Sequence, residues 1–214
     1  MSCAFDLDHY RELLDAAKQG GYRWAFFDHE PQSRDVFLRH DVDMSLDAAL
    51  EMAALEAERG VRATYFLMTR SDFYNLDSRA GVAALARLRE LGHRVGLHGV
   101  YPDATLDERF DPVVAWHTPD PEWMSAPLQS GAVNVMQEPW FERAHYRSDS
   151  NQHWRSGCPH EVLARGELDW LQLLVHPEIW VYPGSTMGET MEAFLDADRD
   201  ARRRAMLDNR IDLS

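Results

Sequence analysis

The sequence predicts an α/β barrel, and three observations carry that prediction. Strand-like and helix-like segments alternate with short connections through the first half of the chain. The 214 residues give room for one sizeable core. Each clear strand also ends in a group able to bind metal, and parallel barrels gather functional groups at the C-terminal ends of their strands.

The elements follow in order. Residues 5–18 place Leu7, Tyr10, Leu14 and Ala17 at helical spacing, and Gly20-Gly21 stops the helix. Residues 22–27 read as a short aromatic strand and residues 36–41 as a second. Ser45 is an N-cap for a helix through Arg59, which Gly60 closes. Residues 62–68 (RATYFLM) form a β-branched and aromatic strand. A polar loop over 69–78 leads to a helix over 79–91, and 93–98 (HRVGLH) is the next strand. Strand, helix and strand with short links mark parallel pairing. Beyond Gly99 the pattern loosens. Residues 112–116 (PVVAW) and 171–175 (LQLLV) are the clearest later strands, 144–146 is a weaker one, and 186–207 forms a terminal helix. At this length a barrel is more economical than an open, doubly wound sheet. No Gly/Ser- or Pro-rich linker, repeat or low-complexity tract divides the chain, so residues 1–214 are expected to form a single barrel domain.

Composition narrows the partners. A formal net charge of −14 disfavours a nucleic-acid backbone or an anionic membrane. The dense basic cluster at residues 199–204 is read as a solvated helix face. No stretch approaches the roughly 20 apolar residues of a membrane span. The N-terminus carries acids where a signal peptide needs a basic start. The two cysteines, Cys3 in a terminal tail and Cys158, show no CxxC spacing, so no disulfide framework is expected. The expectation is a soluble cytoplasmic protein with a small-molecule partner and an open oligomeric state.

The strand ends hold the chemistry. Asp41 and Asp43 are two residues apart, so in an extended chain both point to the same side. Two like charges beside an apolar strand are costly unless a cation pairs with them. Later strands end in His98, His117 and His176. Gly96 and Gly99 allow close backbone approach around His98, and Pro177 stops the strand after His176. Carboxylate oxygen and imidazole nitrogen suit a zinc-type site that keeps a position for water. Other histidines fit less well. His9 lies in the first helix, His40 alternates away from Asp41, and His29, His93, His145, His153 and His160 fit surface or loop positions. Trp24 reads as core, whereas Trp123, Trp140 and Trp180, beside prolines, suit either core or cleft. The chain has no GxSxG elbow, P-loop or GxGxxG.

The blocks LRHDVD, ATYFLM with FYN, GHRVGLH, AWHTP, YRSDSNQHW and LLVHPEIW occur in that order between about residues 10 and 180. Their order and spacing resemble the polysaccharide deacetylase superfamily (the NodB-homology group, carbohydrate esterase family four), and within it the cytoplasmic polysaccharide-deacetylase-like branch. The resemblance implies a distorted (β/α) barrel with fewer than eight strands, one divalent metal ion, usually zinc, and hydrolysis of an N-acetyl group. It implies Asp41 as catalytic base, Asp43 as metal-binding aspartate, His98 as metal ligand and His176 as catalytic acid. Asp149, with Trp154, matches the acidic block that supports these groups, and Arg147 or Arg39 supplies the arginine beside the base. One position departs from the family pattern. The usual second metal histidine is replaced by Pro102, so His117 is expected as the third ligand, with Asp103 as the alternative. The expected function is a metal-dependent hydrolase that cleaves the amide of an N-acetyl or similar N-acyl group on a small sugar, nucleotide sugar or biosynthetic intermediate. The alternatives are a catalytically degenerate barrel that binds a glycan or protein, and a metal enzyme of another reaction class.

Overall fold

The computed structural model describes residues 3–101, 105–124, 128 and 131–210. Pro102 and Asp103 lie outside these residues. The chain runs α1 (Leu7–Gln19), β1 (Arg23–Trp24), β2 (Asp35–Val42), α2 (Leu46–Glu58), β3 (Thr64–Leu67), α3 (Arg79–Glu90), β4 (Arg94–Gly99) and β5 (Val113–Trp116). It continues through α4 (Pro121–Met124), β6 (Val133–Asn134), β7 (Tyr146–Ser148), α5 (His160–Arg165), β8 (Leu171–Val175), α6 (Pro177–Val181) and α7 (Met187–Asp208).

Seven strands form one curled sheet in the order β6-β5-β4-β3-β2-β8-β7, and every pairing along it is parallel. This is a half-barrel with helices outside it, a distorted barrel of fewer than eight strands. The short β1 pairs beside the start of β2, at Asp35 and Val36. The aromatic strand expected over 22–27 ends after two residues because β3 takes that same edge of β2 from Arg39 onward.

Alternation along the strands builds two cores. Val36, Leu38 and Val42 of β2 join Tyr65, Leu67, Val95 and Leu97 beneath the helices. Phe37, Phe66, Val113 and Ala115 point the other way and fill the barrel with Phe27 and Trp170. Gly96 makes this filling possible, since a Cβ there would lie 2.5 Å from the Phe66 ring. Farther along the inward rows the side chains turn polar, at Arg39, Asp41 and His98. An apolar plug therefore supports a polar mouth at the strands' C-terminal ends.

The helices start where local chemistry predicts. Ser45 accepts from the Ala48 N–H, Ser78 from Gly81 and Thr186 from Glu189, each satisfying an orphan donor of the first turn. Arg199 and Arg202 of α7 pair with Asp196 and Asp198 on its exposed face. No helix among the described residues is long and apolar enough to cross a membrane.

Some expectations need correction. His93 is buried rather than at the surface: its Nε2 lies 3.0 Å from the Ala53 carbonyl, and its Nδ1 accepts from the Ala63 N–H. Cys3 is not in a loose tail, because its Sγ lies 3.1 Å from that of Cys158. The strand expected at 144–146 is displaced to β7, since residues 143–145 form a 3-10 turn.

Candidate active site

The C-terminal ends of β2, β4, β5 and β8, with β3 between β2 and β4, bring Asp41, Asp43, His98, His117 and His176 around one opening. The centre of the group is a triangle. His98 Nε2 is 3.1 Å from Asp43 Oδ1 and 3.2 Å from His117 Nδ1, and His117 Nδ1 is 3.2 Å from Asp43 Oδ1. His98 Nδ1 lies 3.1 Å from the Ala115 carbonyl, which must receive the ring proton. The His98 ring therefore directs Nε2 toward a carboxylate oxygen and a second imidazole.

With both imidazoles deprotonated at these nitrogens, as metal binding requires, the three atoms are all acceptors and repel one another unless a cation lies among them. A tetrahedral ion with bonds of about 2.0–2.2 Å holds its ligand atoms about 3.3–3.6 Å apart, within a few tenths of an ångström of this triangle. Asp43 Oδ1 is buried and has no hydrogen-bond partner among the described residues. Burial disfavours charge on Asp43, yet His117 and His98 hold its carboxyl far below the usual range. Asp43 in turn raises the His117 imidazole. The residues thus fit a divalent ion of the zinc class, and the Ala115 carbonyl fixes the His98 ring from behind.

Asp41 and His176 flank the triangle. Arg39 grips Asp41 with two parallel bonds, Nε to Oδ1 at 2.7 Å and a terminal nitrogen to Oδ2 at 2.6 Å. Burial opposes ionisation of Asp41, but the guanidinium outweighs it and holds the carboxyl below its ordinary range. Arg147 faces elsewhere. It sits opposite Leu173 in the β7–β8 register, and its guanidinium donates to the Ala144 and Tyr146 carbonyls. The arginine beside Asp41 is therefore Arg39.

His176 Nδ1 lies 2.6 Å from Asp149 Oδ1, and the His176 backbone N–H donates to Asp149 Oδ2. Burial works against an imidazolium here, but the Asp149 carboxylate prevails and pushes His176 up to about 10. Asp149 is held in turn by the Trp180 indole N–H at 2.7 Å. Trp180 is thus a core residue and not a cleft wall. Trp154 makes no such bond, since its indole N–H donates to Cys3 Sγ.

Two cavities meet at the triangle. A recess of about 220 Å³ is bordered by Asp41, His176, Tyr146, Trp116, Met136 and Leu174. A wider cleft of about 630 Å³ runs past Met68, Arg70, Phe73 and Tyr101. Asp43, His98 and His117 border both.

Sequence reasoning left two contributors without a role. The Tyr74 hydroxyl donates to the Val42 carbonyl and accepts from the Met68 N–H, tying together the ends of β2 and β3 beside Asp43. The FYN block contains it, but nothing local assigns its hydroxyl a partner. Glu178 is fully buried two residues after His176, and burial pushes its carboxyl up to about 8. Its position in a short helix after a strand gives no sequence signal.

No protein-family profile matches the chain, and no curated protein matches it. Among solved structures, the chain is similar to Bdellovibrio bacteriovorus peptidoglycan deacetylase Bd3279, at 17% identity and a TM-score of 0.37. The likeness covers 86% of this chain and 54% of that one, so the chain spans about half the length of that protein. A likeness this distant assigns no activity.

Proposed function

We propose that the protein is a metal-dependent hydrolase that removes an N-acetyl or similar N-acyl group from a small, sugar-derived amide. The observation that carries the reading is a metal-fitting triangle of Asp43, His98 and His117, with an ion-paired carboxylate on one flank and a carboxylate-backed imidazole on the other. Amide hydrolysis needs those two flanking groups in opposite protonation states.

When bound, a divalent ion supplies Lewis acidity, drawing charge from an amide carbonyl and lowering the pKa of water. The protein's own residues do the rest. Asp41, kept ionised by Arg39, takes the proton of the attacking water. His176, kept protonated by Asp149, gives a proton to the departing nitrogen, which would otherwise leave as a poor anion. Trp116, Met136 and Leu174 give the recess an apolar wall suited to a short acyl group, and the wider cleft has room for a sugar-sized remainder.

The test pairs metal content with product release. The wild-type protein should lose one bound ion per chain in Asp43→Ala. Asp41→Asn and His176→Ala should keep the fold and lose about 10²–10⁴-fold in acetate release from N-acetylated sugars. Equal metal content in wild type and Asp43→Ala, or full activity in both flank variants, would sink the reading.

A further inference from the structure

The fold brings together two cysteines that are 155 residues apart in sequence. Cys3 Sγ is 3.1 Å from Cys158 Sγ, about 1 Å longer than a disulfide bond. His9 Nε2 lies 3.2 Å from Cys158 Sγ. The other nitrogen of that ring, Nδ1, is 2.9 Å from Glu12 Oε2. Glu12 therefore takes the ring N–H and leaves the Nε2 lone pair facing the sulfurs. A carboxylate behind an imidazole in this way is the usual support of a metal-bound histidine. The Trp154 indole N–H donates to Cys3 Sγ at 3.1 Å.

We propose that Cys3, His9 and Cys158 form a second metal site, selective for a thiophilic ion such as Zn²⁺ or Cu⁺, that clamps the N-terminal segment to the turn before α5. Two sulfurs and one imidazole nitrogen are a soft donor set, unlike the oxygen and nitrogen donors of the Asp43 triangle. Tetrahedral zinc spaces two sulfurs about 3.8 Å apart and a sulfur and nitrogen about 3.5 Å apart, so from 3.1 Å and 3.2 Å the sulfur pair opens by about 0.7 Å and the sulfur–nitrogen pair by about 0.3 Å to admit it. Binding sends the remaining thiol protons to solvent. A fourth position is open to water or to His160, whose ring stands edge-on to that of His9 with centroids 5.9 Å apart.

The clamp would act on structure near the active site. The His9 ring stacks on Trp180, the residue that holds Asp149, with centroids 6.3 Å apart. Phe5 packs on both Trp154 and Trp180.

The test uses the full chain, reduced, stripped of metal with a chelator, and titrated with Co²⁺. The Asp43 triangle contains no sulfur and the chain has no third cysteine, so a sulfur-to-cobalt charge-transfer band reports this site alone. The band is expected to saturate, to disappear in Cys3→Ser and Cys158→Ser, and to persist in Asp43→Asn. Glu12→Ala should weaken cobalt affinity by about 10–100-fold, and added Zn²⁺ should bleach the band and protect both thiols from a disulfide reagent. Reduced protein without the band would overturn the proposal. So would thiols equally reactive with and without zinc, or a protein that becomes lighter by two hydrogen atoms in air without ever taking up metal.

Discussion

Two carboxylate–histidine clusters lie on opposite faces of the sheet around β2, and they differ in what answers the carboxylate. On the outer face, Glu56 is completely buried and its oxygens are supplied with donors. Tyr10 and His40 bond to Oε1, Tyr65 bonds to Oε2 at 2.8 Å, and His93 stands 3.7 Å from Oε2. The His40 ring stacks on Tyr65 with centroids 4.3 Å apart. On the inner face, Asp43 Oδ1 stands 3.1 Å from His98 Nε2 and 3.2 Å from His117 Nδ1, beside open space. Both clusters set a carboxylate among histidines, but only the outer one adds tyrosine hydroxyls. A buried carboxylate answered by tyrosine and histidine donors ties helices to a sheet, whereas one that shares an opening with two imidazole nitrogens can hold a cation together with them.

The comparison predicts effects that fall off in size. The largest is on stability. Glu56→Ala leaves two tyrosines and His40 without their acceptor in a dry core, and urea denaturation should show a loss of about 3–5 kcal/mol. The folded fraction should still take up the ion at Asp43. If Glu56→Ala instead lost that ion at unchanged stability, the two clusters would not be separate.

Next comes the pH dependence of His176. Its folded pKa, about 10, lies above the ordinary value of about 6.5. The sign follows: its contribution to stability is fully present below about 6.5 and is lost as pH rises through about 10. In metal-free Asp149→Asn the ring should titrate well below the wild-type midpoint, by proton NMR. An unmoved midpoint would show that Asp149 does not hold the charge.

The smallest effect separates the two arginines. Arg147→Ala should change stability by no more than about 0.5 kcal/mol and leave turnover close to wild type. Arg39→Ala strands a buried Asp41 charge and should be markedly worse in both denaturation and rate assays. Equal losses would contradict the way β7 faces.

Much of the barrel was legible because its signals are local. The alternation in VFLRHDVD, the caps at Ser45 and Ser78, and the histidines closing three strands depend on neighbours a few residues away. The second half was harder to read. There β6, α5 and α6 are short and sit among loops, too brief for periodicity to register.

The sequence by itself determined that parallel strands would end in oxygen and nitrogen donors, since pattern and propensity act along the chain. Tertiary structure decided what those donors meet. Pairing β7 with β8 turned Arg147 away and left Arg39 on Asp41. Packing of α6 put Trp180, rather than Trp154, on Asp149, and closure of the chain set Cys3 against Cys158. These outcomes depend on register and on contacts between residues far apart in sequence, which no local pattern encodes.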